Sequence, residues 1–127
     1  MTSPSRRRAA LVLVVAVLVG ASVQPFRQLA WTDAVGTLAY AAAAVGVVAL
    51  VLARRGALLP GAIGTGAACA VEILQLTGVP AALAERLPPV ALLLGSSFDP
   101  VDLLLLIVGG AVATLALSTP VGSSSRP

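Results

Sequence analysis

Residues 71–102, VEILQLTGVPAALAERLPPVALLLGSSFDPVD, govern the reading of this chain. The stretch carries Glu72, Glu85, Asp99 and Asp102, four of the five acidic residues in the whole sequence, together with Arg86. On either side lie runs of Ala, Val, Leu and Gly. Ionisable side chains beside lipid-soluble sequence are costly and persist where they face protein, water or a ligand. This segment is therefore the place to look for a site.

Outward from it, the 127 residues are 58% hydrophobic and 10% charged, with a mean hydropathy of +1.03. A soluble domain is about half apolar and a quarter charged. Each membrane helix needs roughly 20 residues, so four spans use most of the chain and leave no room for a separate soluble domain. The expected architecture is all-α: an integral membrane bundle of four transmembrane helices with a short interfacial helix between the third and the fourth. A basic N-terminus (1–8), the membrane domain (9–117) and a flexible Ser- and Pro-containing tail (118–127) make up the chain.

The spans are expected at 9–23, 33–53, 57–76 and 101–117. The segment AALAERL at 81–87, stopped by Pro88 and Pro89, reads as the interfacial helix. For the first run two readings compete: a cleaved leader with Val19, Gly20 and Ala21 at the cleavage site, or an uncleaved span. The membrane length of the later runs favours the span, because they supply neighbours for it to pack on.

Charge placement orients the bundle. Arg6, Arg7, Arg8, Arg54, Arg55 and Arg126 fall on one side with no acid, while Arg27 and Arg86 fall on the other with all five acids. Arginine bias places both termini in the cytoplasm. The net charge of +3 comes from Arg bunched at the ends of apolar runs, a topology signal rather than a nucleic-acid face. With no His and a single Cys (Cys69), the inventory excludes a zinc site, a Cys–His pair and an internal disulfide. Neither a metal nor a cofactor is expected.

Helical positions three and four apart share a face. Gly61, Gly64, Ala68, Glu72 and Gln75 form one stripe of the third span, Asp102, Leu106, Gly109 and Ala113 one of the fourth, and Asp33, Gly36, Tyr40 and Ala44 one of the second. Small residues are where membrane helices approach closely. The acids thus continue packing seams and are expected to meet inside the bundle, near its outer edge. Asp33, Glu72, Gln75, Arg86 and Asp102 form the candidate cluster, with Arg27 as a possible lid. Each has a structural reading as well. Asp99, Pro100 and Asp102 suit a helix start, and so does Asp33. Glu72, near a helix C-terminus where the dipole disfavours an anion, suits an ion pair with Arg86 or Arg27, or a hydrogen bond to Gln75 or a neighbour. Tyr40 and Cys69 suit packing, Glu85 a solvated charge, and Trp31 and Phe98 an interfacial belt.

VEILQL, the later Arg86, LLGSSFDPVDLLLLIVGG and the earlier TDAVGTLAYA resemble the uncharacterised bacterial membrane family catalogued as domain of unknown function 2809. The resemblance spans roughly residues 10–117 and rests on Asp33, Glu72, Gln75, Arg86, Gly95, Phe98, Asp102 and Gly109. Leu106 stands where family members often carry an aromatic. The pattern is distantly similar to VanZ-like proteins, which implies a multi-pass protein of the bacterial cytoplasmic (inner) membrane with a cell-envelope association.

Three functions are compatible with these residues. The first is a non-catalytic envelope-accessory or binding protein, whose outward pocket takes a polar or phosphate-bearing head group through Arg86 and Arg27. Membrane lipids, a lipid-linked envelope precursor and a second copy of the chain would be its partners. The second is an intramembrane enzyme with Glu72 and Asp102 as acid and base. The third is a small proton- or ion-coupled transporter. N-terminal sequencing of the purified protein is expected to show that the chain does not begin at Ser22, since cleavage there would remove the first span.

Overall fold

Where water is absent, a helix satisfies each backbone N–H and C=O within its own segment, and the apolar runs obey that constraint. The computed structural model describes residues 5–52, 56–91 and 98–119, which are all-helical with no strand among them. In order they form α1 (Arg6–Val23), a 3-10 turn (Gln24–Phe26), α2 (Ala30–Val51), α3 (Leu58–Leu74) continued by a second 3-10 turn (Gln75–Thr77), α4 (Val79–Arg86) and α5 (Pro100–Ser118). The helices α1, α2, α3 and α5, the first and third taken with their 3-10 turns, are long and apolar enough to cross a membrane. The eight-residue α4 is the short helix expected between the third and fourth spans.

Local chemistry sets the boundaries. Helix α1 starts at Arg6, ahead of the apolar run, because the Ser5 hydroxyl accepts from the Arg8 N–H at 3.2 Å. Helix α2 starts three residues before Asp33: the one proton of the buried Thr32 hydroxyl is shared between the carbonyls of Leu29, at 2.8 Å, and Phe26, which closes the first turn. Gly78, at φ 76°, ends the turn after α3 in the left-handed conformation that glycine adopts without penalty. Pro80 then lies in the first turn of α4, where its missing N–H costs nothing. As expected, the Asp99 side chain caps α5 by accepting from the Val101 N–H at 2.9 Å.

Helix α2 is the centre of the bundle. It packs against α1, α3 and α5, whereas α1 and α3 barely touch each other. Its buried positions, among them Gly36, Thr37, Ala39, Ala41, Val45 and Gly46, lie on several faces rather than on the single stripe drawn from Asp33 to Ala44. On α3 the buried residues Gly61, Gly64, Ala68 and Glu72 are the expected stripe, and on α5 Leu106, Gly109 and Ala113 are too. A methyl group added at Gly64 would stand 2.6 Å from the Val45 Cα, and one at Gly109 2.5 Å from the Leu38 carbonyl oxygen. At both places two backbones meet with no room for a side chain.

At one end of the bundle Arg8 donates to the carbonyls of Leu117, at 3.2 Å, and Thr119, so the start of α1 and the end of α5 share that end. Arg27, Asp33, Glu72, Asp99 and Asp102 occupy the other, lining one cavity there. Arg54, Arg55, Gly95, Arg126 and the tail from 120 lie outside the described residues. Gly64→Ala is expected to destabilise the folded protein by about 1–3 kcal/mol through overpacking. Gly66→Ala, whose added methyl meets nothing within 4 Å, is expected to be neutral or mildly stabilising. Thermal unfolding of both variants in one detergent checks the contrast.

Candidate functional site

Three helices and one loop bring ionisable groups to a single place. Asp33, in the first turn of α2, accepts from the Arg27 Nε at 2.8 Å and lies 2.7 Å from the Arg27 Nη2 through the same oxygen. Arg27 belongs to the loop between α1 and α2. Its guanidinium lies flat on α2 because residue 36 is glycine: a Cβ there would come 2.7 Å from the Arg27 Nη1. With the two side chains 37% and 43% exposed, the pair orients Arg27 more than it stabilises the fold, since open ion pairs are worth about 0–1 kcal/mol.

One turn further along α2, the Thr37 hydroxyl lies 3.1 Å from the Asp33 carbonyl oxygen and 3.3 Å from Asp102 Oδ1. A single donor is held between an acceptor of its own helix and a carboxylate of α5. Glu72, near the end of α3, is 7% exposed, and its Oε1 accepts the Asp99 backbone N–H at 2.8 Å. Asp99 is the N-cap of α5, so the Glu72 side chain fastens the end of α3 to the start of α5. Among the described residues the ion pair found is Arg27–Asp33. Neither an Arg86 nor an Arg27 partner for Glu72 is seen.

These groups line a cavity of ≈ 680 Å³. Its floor is the face of α2 that carries Asp33, Gly36, Tyr40 and Ala43. Glu72 on α3 and Gln75 in the turn after it form one wall, Asp102 and Leu106 stand on the α5 side, and Ala16 and Gly20 on α1, with Gln24 in the turn after it, form the other wall. The rim is thus rich in acceptors, and the depth between α1 and α3 is apolar. Among the described residues no three His, Cys, Asp or Glu side chains are grouped to hold a metal ion.

Of the residues singled out in the sequence, Asp33, Glu72, Gln75, Asp102 and Arg27 come together here. Arg86 does not: it is exposed at the end of α4 and is not among the lining residues. The left-handed turn at Gly78 redirects the chain, and α4 packs on the Gln75–Thr77 turn with Pro80 as its one buried residue. Arg27, named as a possible lid, lies against Gly36 and on Asp33. Glu85 is exposed, and Cys69 packs beside Ala41, Ala68 and Leu106. Thr37 and the Asp99 N–H are additions. Thr37 follows Asp33 by four positions and so shares its face, a signal present in the sequence; a backbone N–H leaves none.

A family model matches residues 26–110, which include Arg27 and every carboxylate of the cavity. The chain belongs to the DUF2809 family, described as proteins of unknown function. No curated protein and no solved structure matches it. The DUF2809 match is narrower at both ends than the span of the resembling motifs, and α1, the fourth wall of the cavity, lies outside it.

Glu72→Ala is expected to cost about 1–3 kcal/mol, because it leaves the part-buried Asp99 N–H without its acceptor. Glu72→Gln keeps an acceptor oxygen and is expected to cost less than half as much. The order of the two unfolding midpoints in detergent is the check.

Proposed function

We propose that this DUF2809 protein is a non-catalytic, cell-envelope binding protein of the bacterial cytoplasmic membrane, whose cavity faces outward and receives a polar head group. The orientation rests on the arginine bias: Arg6, Arg7 and Arg8 belong to the end opposite the cavity, and arginine-rich ends stay in the cytoplasm. One observation carries the function. Carboxylates from α2, α3 and α5 and the Arg27 guanidinium surround a single ≈ 680 Å³ space, within the range of small-ligand sites.

The position of Arg86 changes which head group suits the cavity. Two arginines would favour phosphate, but Arg86 stands elsewhere and Arg27 is engaged by Asp33. What remains is an excess of acceptors: Asp33, Glu72, Asp99 and Asp102 around one guanidinium. A head group that donates hydrogen bonds through hydroxyl or amine groups is the better complement. Glu72 and Asp102 also resemble the acid and base of an intramembrane enzyme. However, each holds a hydrogen bond to another helix, which favours a positioning role.

Native mass spectrometry of the protein extracted in its own lipids tests this reading. Wild type is expected to retain a polar-headed adduct whose occupancy falls about tenfold, equivalent to 1.4 kcal/mol, in Asp102→Asn. Helicity and elution volume should be unchanged, and the exposed Glu85→Gln should behave as wild type. An adduct indifferent to Asp102 would count against the proposal.

A further inference from the structure

We propose that the occupant is a membrane lipid of the ethanolamine kind, entering sideways between α1 and α3 and standing along α2 with its acyl chain in the groove below the cavity. The inference rests on the head-group reading above and adds the tail, the route and the class of ligand. It comes from the way the helices are arranged around α2. Helices α1 and α3 both pack on α2 but barely meet. Helix α1 closes on α5 at the Arg8 end, where Ala9 joins Ala113 and Leu117. Between α1 and α3 a strip of α2 is therefore left uncovered.

Sequence spacing identifies that strip. Tyr40, Ala43 and Val47 follow one another at three- and four-residue steps and share a face, and Val51 continues it. Tyr40 and Ala43 line the cavity, and further along Val47 and Val51 are 49% and 74% exposed. The polar cavity and the exposed apolar strip are thus one continuous surface. From Thr37, which marks the level of the Asp102 carboxylate, to Val47 the helix rises about 15 Å, roughly half of a 30 Å hydrocarbon core. This is the depth of one leaflet. The α1 wall beside the strip carries Ala16 and Gly20, which leave width for a chain.

A purely water-soluble ligand would have no use for the strip, and an apolar one no use for the carboxylates above it. An amphiphile satisfies both parts. Its polar end meets acceptors in excess over cations, so an ammonium group suits the upper part; the phosphate beside it lies toward the Nη1 of Arg27, since Asp33 holds Nε and Nη2, and the tail replaces bilayer lipid on Ala43 and Val47 at little cost. Lateral entry also spares the head group a passage through Glu72 and Asp102, which hold α3 and α2 to α5.

The test uses delipidated full-length protein in detergent, titrated by native mass spectrometry with dioleoyl phosphatidylethanolamine and separately with soluble glycerophosphoethanolamine. The lipid is expected to bind at least about tenfold more tightly than the soluble analogue. Filling the groove in Val47→Phe should weaken the lipid by about tenfold and leave the analogue unchanged, and adding Ala43→Phe, which also narrows the cavity floor, should weaken the lipid further. Ile107→Phe, on an exposed face of α5, should change neither. Because Val47 is exposed, its single variant keeps the test valid if the double variant misfolds. Equal binding of lipid and analogue, or full lipid binding by Val47→Phe, overturns the proposal. If Asp102→Asn still abolishes binding in that case, the head-group pocket survives without the lateral route. Binding of neither probe, or binding indifferent to Asp102 as well, overturns both. A dimer that Val47→Phe converts to monomer with lipid binding intact assigns the strip to a second copy and likewise overturns it.

Discussion

The fold depends on backbone meeting backbone along α2. At Gly64 the third helix rests on Val45, and at Gly109 the fifth rests on Leu38, each at a distance that a methyl group would violate. In lipid no hydrophobic gain draws helices together, so contact of this kind and interhelical hydrogen bonds supply the association. Because α3 and α5 approach α2 so closely, the residues one and two turns beyond those glycines are carried to the same end of the bundle. Glu72 lies eight positions after Gly64, and Asp102 seven before Gly109. The polar cluster follows from where the glycines stand.

Once gathered, the polar groups complete the helix contacts. A polar group taken from water must recover its hydrogen bonds, and each one here does so on a neighbouring element. Glu72 takes the Asp99 N–H, Asp102 shares the Thr37 hydroxyl, and Arg27 lies over Gly36 to reach Asp33. Their acceptor capacity is larger than these donors fill, since an ionised carboxylate offers about four lone-pair sites. Groups that hold the helices in place are therefore also available to a ligand with donors. The packing of α1 decides the shape of the space: it lies against α2 alone over the cavity, and one side stays open.

Much of this was legible in the residues. The third and fourth spans showed their buried faces as stripes of small residues ending in an acid, and Asp99 with Pro100 announced a helix start. The second span was the hardest to read. Its long series of Ala, Val and Gly has no strong side, because three helices touch it on different faces, and periodicity identifies a face only when another face differs from it. The all-round smallness of AYAAAAVGVVA was itself the available sign of a central helix.

The sequence by itself determined that the chain is four apolar helices with a short fourth segment between the last two, since length, hydropathy and backbone hydrogen bonding in lipid allow little else. It also determined that the acids lie toward one end and that small residues lead to them. Tertiary structure alone decided which arginine joins those acids. Arg27 is folded back onto Asp33 by a loop and a flat place at Gly36, while Arg86 is turned away by the left-handed bend at Gly78. Spacing along a helix fixes which side chains share a face, but no spacing rule spans a bend, so the partners of groups on separate elements are set by the direction in which each connection sends the chain.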